Sequence, residues 1–211
     1  MADRSGKRIP RGEAFRRRIP ALGYYLIVTD TDKTECNYIT GFRQTIPAAM
    51  RDRLVIKVHK SSTGSLVDAA ERLASQIPQY AEPWIMLDRD LVPNFDQILE
   101  AAIKRGIHVA WSNPCCEIWL GAYLGAMQQY EGSPACCNGF AYKYFEKVEQ
   151  EYRKNDEEIY SKLCRFGNEE SAIKIAKARY ESMSATEITK PSLMNPATTV
   201  YMLIEEINAK E

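Results

Sequence analysis

The sequence contains no C-x-x-C pair, no internal repeat, no excess of charge of either sign, and no apolar run near the roughly 20 residues of a membrane-spanning helix. Each absence excludes something. Without the long run the chain is not expected to enter a membrane. With 28 basic residues against 28 acidic ones, it is not a protein coated along its length by nucleic acid, although a local basic patch remains open. Its start is basic rather than apolar, so no secretory signal is expected and the location is read as cytoplasmic. In that compartment the six cysteines (Cys36, the pairs Cys115-Cys116 and Cys136-Cys137, and Cys164) read as reduced thiols, some packed as small hydrophobes. A redox or zinc role is the alternative. The two histidines, His59 and His108, lie inside apolar runs and have no partner at ligand spacing, so both read as structural.

What the chain does have is alternation. Residues 1–20 form a basic arm with Arg16, Arg17 and Arg18 at its end, read as flexible and either solvated or tethered to phosphates. Tyr24 to Thr29 is an apolar, β-branched run with no polar alternation, as expected of a strand buried on both faces. It ends in Asp30-Thr31-Asp32, and Thr34 is placed to cap a helix running to about Gln44. Three similar runs follow: Leu54–Val58, Trp84–Leu87 and Ile107–Trp111. Between them lie amphipathic stretches, one with Leu66, Ala69, Ala70, Leu73 and Ile77 on one face, another with Phe95, Ile98, Leu99, Ala102 and Ile103 before Gly106. From Glu117 to about Tyr130 the pattern is again helical. Strands alternating with helices imply an α/β fold: a mainly parallel four-stranded sheet flanked by helices, spanning 21–131. Beyond it, 132–211 reads as a helical C-terminal extension packed on the core, with helices from Tyr142 to Lys154, from Asn168 to Met183 and from near Thr198.

Right-handed crossovers bring the ends of parallel strands to one edge. There the sequence gathers acids: Asp30 and Asp32 after the first run, Asp88 and Asp90 after the third, and Glu117 after Ser112-Asn113-Pro114 at the fourth. Carboxylates brought together repel unless they share a proton or hold a cation. Hard oxygen donors suit Mg²⁺ or Mn²⁺. The two Asp pairs, Asp30 with Asp32 and Asp88 with Asp90, are the expected metal site, and Glu117 adds a further acid at the same edge. Lys33, Lys60 and Arg89 stand close enough in sequence to bind phosphate oxygens. The plainer readings are that Asp30 and Asp32 cap or turn, and that Asn113 and Glu117 serve a helix N-terminus.

Four segments carry a family resemblance. Asp30-Thr31-Asp32-Lys33-Thr34-Glu35 with Tyr38 resembles the E-G-x-K-T-E…Y opening of the RloB family. Asp88-Arg89-Asp90 resembles its D-x-D, Ser112 to Leu120 its S-N-P-x-F-E-x-W-L segment, and Asn195 to Tyr201 its closing N-P-x-T-x-V. The resemblance implies a Toprim-like fold, a Mg²⁺ site on Asp30, Asp88 and Asp90 that supports phosphodiester cleavage, a role in bacterial defence against phage, and an ATPase partner of the ABC or SMC type. It also brings Glu117 and Asn113 into the site. One departure is local: Asp30 stands where the family has Glu and Thr31 where it has Gly. Asp is one methylene shorter, and a misplacement of about 1 Å can cost roughly 10²-fold in rate. Asp32 and Glu35 are the nearby acids that can substitute.

Three functions fit these residues: a Mg²⁺-dependent nuclease acting on RNA or DNA, a non-catalytic sensor or partner-binding subunit with a degenerate site, and an enzyme acting on a small nucleotide. Convergence of the Asp30, Asp88 and Asp90 oxygens favours the first. Asp30 turned into a capping bond favours the second.

Overall fold

A computed structural model of the protein describes residues 25–60, 63–77, 82–186 and 188–209. The basic arm, Arg16, Arg17 and Arg18 included, lies outside the described residues. Strand β1 (Tyr25–Thr29) is buried at every position, and its residues divide by alternation between two clusters on opposite faces of the sheet. Tyr25 and Ile27 face one way with Trp84, Met86 and Ala110; Leu26 and Val28 face the other with Ile85, Leu87 and Trp111. A strand covered on both sides needs no polar face, which is why its sequence lacks one.

β1 pairs in parallel with β2 (Leu54–Val58) on one side and with β3 (Glu82–Asp88) on the other, and β3 pairs in parallel with β4 (His108–Asn113). The sheet has five strands rather than four, in the order β2-β1-β3-β4-β5. The added strand, β5 (Ala197–Thr198), runs antiparallel to β4 and is only two residues long. So short a strand leaves no alternation to read. It is held by side chains: the Ser112 and Thr198 hydroxyls lie 3.0 Å apart, and the Thr199 hydroxyl accepts from the Trp111 N–H at 3.0 Å.

The helices follow the sequence pattern with corrections. Helix α1 (Thr34–Thr45) runs as expected, but Lys33 holds the cap position and Thr34 is its first helical residue. After α2 (Ala48–Arg51), α3 (Leu66–Gln76) and α4 (Phe95–Lys104) cover the Leu26–Val28 face, and Gly106 ends α4's turn at φ 69°. Helix α5 (Glu117–Tyr123) stops well short of Tyr130, because the Gly121 carbonyl accepts from both Leu124 and Ala126 while Gly125 turns to φ 85°. The next helix, α6 (Ser133–Val148), starts earlier and ends earlier than its pattern suggested. Pro134 sits in its first turn, where a missing N–H costs nothing, and Glu149 closes it at φ 56°. Helix α7 (Ile159–Phe166) had no clear signature. Asn168 caps α8 (Glu169–Ser184) by accepting from the Ser171 N–H at 2.7 Å, and α9 (Val200–Asn208) follows β5.

Residues on both sides of position 131 share one cluster: Tyr38, Phe42 and Trp119 with Phe140, Tyr144, Tyr160, Ala172 and Leu203. A polar seam runs through it. Tyr38 and Tyr123 hydroxyls meet at 2.8 Å, and Tyr123 and Tyr160 both donate to Glu169 Oε2, at 2.7 and 2.9 Å. No described helix is long and apolar enough to cross a membrane.

Candidate active site

In the order β2-β1-β3-β4, the connections leave β1 on one side and β3 on the other, so a crevice opens at the strand ends between them. Each wall follows from local sequence. The turn after β1 leads into the first turn of α1, delivering Glu35; β3 ends on Asp88; and β4 runs through Asn113-Pro114 into α5, whose first residue is Glu117. The Arg89 N–H donates to Ser112 O at 2.8 Å and the Asp90 N–H to Pro114 O at 2.9 Å, which ties the two loops together.

The result is a cleft of about 140 Å³ lined by Thr31, Lys33, Thr34, Glu35, Asp88, Glu117 and Lys154. Three carboxylates from three strand ends share it. Burial, with the negative charge of Asp30 and Glu117 added, lifts the Glu35 carboxyl from an ordinary 4.5 to about 7, against hydrogen bonds from its own backbone and from Asp88. Burial and the charges of Glu35 and Glu117 likewise raise Asp88 well above the usual range, although the Cys116 N–H donates to it. Both carboxyls therefore resist ionisation beside the charges of Asp30 and Glu117. Burial also opposes ionisation of Glu117, only 2% exposed, but the Cys115 thiol, the Lys154 ammonium and the Tyr152 hydroxyl outweigh it and keep its carboxyl below the usual value. Tyr152 donates to Glu117 Oε1 at 2.9 Å and Lys154 Nζ stands 3.6 Å from the same oxygen.

The residues singled out from the sequence fall at different distances from this centre. Asp88 and Glu117 line the cleft. Asp30 stands behind it, close enough to repel Glu35 and Asp88, and its Oδ2 accepts from the Thr63 hydroxyl at 3.0 Å. Burial raises its carboxyl as well. Asp90 is exposed on the loop at φ 34°, and its charge reaches Asp30. Asp32 is exposed and paired with Lys60, whose ammonium holds its carboxyl down. Lys33 is at the mouth. Arg89 is half-buried and donates to the Asp90 carbonyl at 2.5 Å. The buried Asn113 amide donates to Pro191 O and Ser192 O, both at 3.1 Å, and so fastens the loop before β5.

Tyr152 and Lys154 were not among the candidates, and Glu35 was named only as an acid able to substitute for Asp30. Glu35 was visible in the opening motif, yet an acid in a first helical turn is explained by the helix dipole alone. Tyr152 and Lys154 come from the loop after α6 and carried no signal. As a donor set, Glu35, Asp88 and Glu117 are all hard oxygens of the kind a divalent cation takes, and carboxyls gathered in one cleft repel until a proton or a cation is shared. Among the described residues, the group of three ligand-type side chains whose donor atoms all lie within 4.8 Å of one another is a different one: Cys115, Glu117 and Cys137.

A protein-family model described as RloB-like protein matches residues 25–207. No curated protein and no solved structure matches the chain.

Proposed function

Because the chain belongs to the RloB-like protein family, we propose that its acidic cleft is a Toprim-type site for Mg²⁺- or Mn²⁺-dependent cleavage of a phosphodiester in RNA or DNA. The observation that carries this reading is the meeting of Glu35, Asp88 and Glu117 in one cleft at the strand ends. Asp88, with Glu35 and Glu117, would hold the ion, and Asp30 and Asp90 would add negative charge behind and above it. Once bound, the ion would neutralise charge developing on the phosphodiester oxygens. The chain's own residues do the rest. Lys33 and Lys154 offer ammonium groups to the phosphate, Arg89 extends that positive rim, and Tyr152 orients the Glu117 carboxylate. The wider role proposed is bacterial anti-phage defence in the cytoplasm alongside an ABC- or SMC-type ATPase.

A second reading has its own support. Asp30 is engaged by Thr63 and does not line the cleft, as expected of a sensor or partner-binding subunit with a degenerate site. Calorimetric titration of Mg²⁺ and Mn²⁺ into wild type and Asp88→Asn, beside cleavage assays on end-labelled tRNA, single-stranded and duplex substrates, separates the two. Binding and cleavage that both vanish in the variant support the nuclease. Binding without cleavage of any substrate, with the ATPase present, supports the sensor.

A further inference from the structure

Beside the acidic cleft lies a second group of donors with different chemistry. Cys115 Sγ and Cys137 Sγ are 4.0 Å apart, and both lie within 4.8 Å of a Glu117 carboxylate oxygen. Cys115 belongs to the loop between β4 and α5, Cys137 to α6. We propose that Cys115, Cys137 and Glu117 bind a thiophilic divalent cation of the zinc class, with water in the fourth position, as a site separate from the hard-cation cleft and sharing only Glu117 with it.

The spacing decides between occupants. Two thiolates on one tetrahedral zinc, each at ~2.3 Å, stand ~3.8 Å apart. The observed 4.0 Å is therefore met by a shift of a few tenths of an ångström. A disulfide needs sulfurs at ~2.05 Å, a closure of about 2 Å between a packed loop and a packed helix. Packing alone accounts for Cys136, which is fully buried among apolar neighbours. It does not account for two thiols gathered around a carboxylate that is 2% exposed.

The protein already supplies a cation there. Lys154 Nζ lies 3.6 Å from Glu117 Oε1 and hydrogen-bonds Cys137. Its side chain is 53% exposed, so it can swing into solvent when an ion enters. Half-buried Cys137 gives the route in, and Cys136 lies within hydrogen-bond reach of Cys115 as an outer partner for its sulfur. Binding would release the two thiol protons to solvent and fasten α6 to the loop that carries Cys115 and to the start of α5.

The test uses the full chain, reduced and stripped of metal, titrated with Co²⁺ and followed by absorption. A thiolate-to-cobalt charge-transfer band that saturates at one ion per chain is expected, apart from any Co²⁺ taken up by the acidic cleft without such a band. Cys115→Ser and Cys137→Ser should each weaken binding beyond the roughly 10–100-fold cost of losing an outer-shell partner. Cys36→Ser and Cys164→Ser should leave it unchanged. Asp88→Asn should keep the band, so that loss of Mg²⁺ binding and loss of this site are read separately. On wild-type protein, Zn²⁺ should protect half-buried Cys137 from iodoacetamide, mapped by mass spectrometry. A cobalt complex without thiolate charge transfer, or equal alkylation of Cys137 with and without Zn²⁺, overturns the proposal.

Discussion

The Tyr152 hydroxyl donates to Glu117 Oε1 at 2.9 Å and lies 3.0 Å from the Thr34 hydroxyl, so one loop residue joins the helix after β1 to the helix after β4. A hydrogen bond to a charged group contributes about 1.5–3 kcal/mol. Tyr152→Phe is expected to lose stability in that range by urea denaturation, and to weaken Mg²⁺ binding because Glu117 is no longer oriented. Unchanged stability would mean that water replaces the hydroxyl.

The burial of Glu35 and Asp88 beside other carboxylates sets a pH dependence. Both carboxyls are raised in the folded state, so their contribution to stability is fully present below their unfolded pKa values and is lost as pH rises through the folded ones. For Glu35 that window runs from 4.5 to about 7. Thermal melts in EDTA should therefore show stability falling across it, by an amount of order 3 kcal/mol from Glu35. Glu35→Gln should flatten the fall while weakening Mg²⁺ binding. Glu117 has the opposite sign: its contribution is present above its unfolded pKa and fades only in more acid solution.

Asp88 and Asp90 are two residues apart but should not behave alike. Asp88 lines the cleft, whereas Asp90 is exposed on the loop above it. Asp88→Asn should reduce Mg²⁺ affinity by more than about 100-fold, beyond the range of outer partners. Asp90→Asn acts through a solvent-screened charge and should cost about tenfold or less, shrinking as salt is added. Equal losses in calorimetry would place Asp90 on the ion.

Gly41 tests the scaffold without touching the cleft. A Cβ there would stand 2.5 Å from Tyr160 Cβ, where α1 crosses α7. Gly41→Ala should destabilise by about 1–3 kcal/mol, the usual range for overpacking, seen as a lower melting temperature with far-ultraviolet dichroism retained.

Much of this architecture was legible because its physics is local. A strand buried on both faces must be apolar throughout, so Leu54–Val58 was read at its observed limits and β1, β3 and β4 within a few residues of theirs. Parallel pairing then obliges the strand ends to meet, which is how Asp88 and Glu117 could be placed at one edge before any coordinates. Helix limits were harder. Ser133-Pro134 starts α6 through the fixed φ of proline, a signal outweighed in the sequence by the stronger charge pattern further on. Two-residue β5 had no pattern to read.

By itself, the sequence determined the α/β alternation, the apolar strands and the presence of acids at their ends, since each follows from the residues of a single short segment. Only the tertiary structure decided which acids face one another. Glu35 enters the cleft through the angle at which α1 leaves β1. Asp30 turns to Thr63, and Tyr152 and Lys154 arrive from a loop more than 30 residues beyond Glu117. The pairing of Cys115 with Cys137 depends likewise on where α6 packs. Such meetings are set by the packing of elements distant in sequence, and no local pattern encodes them.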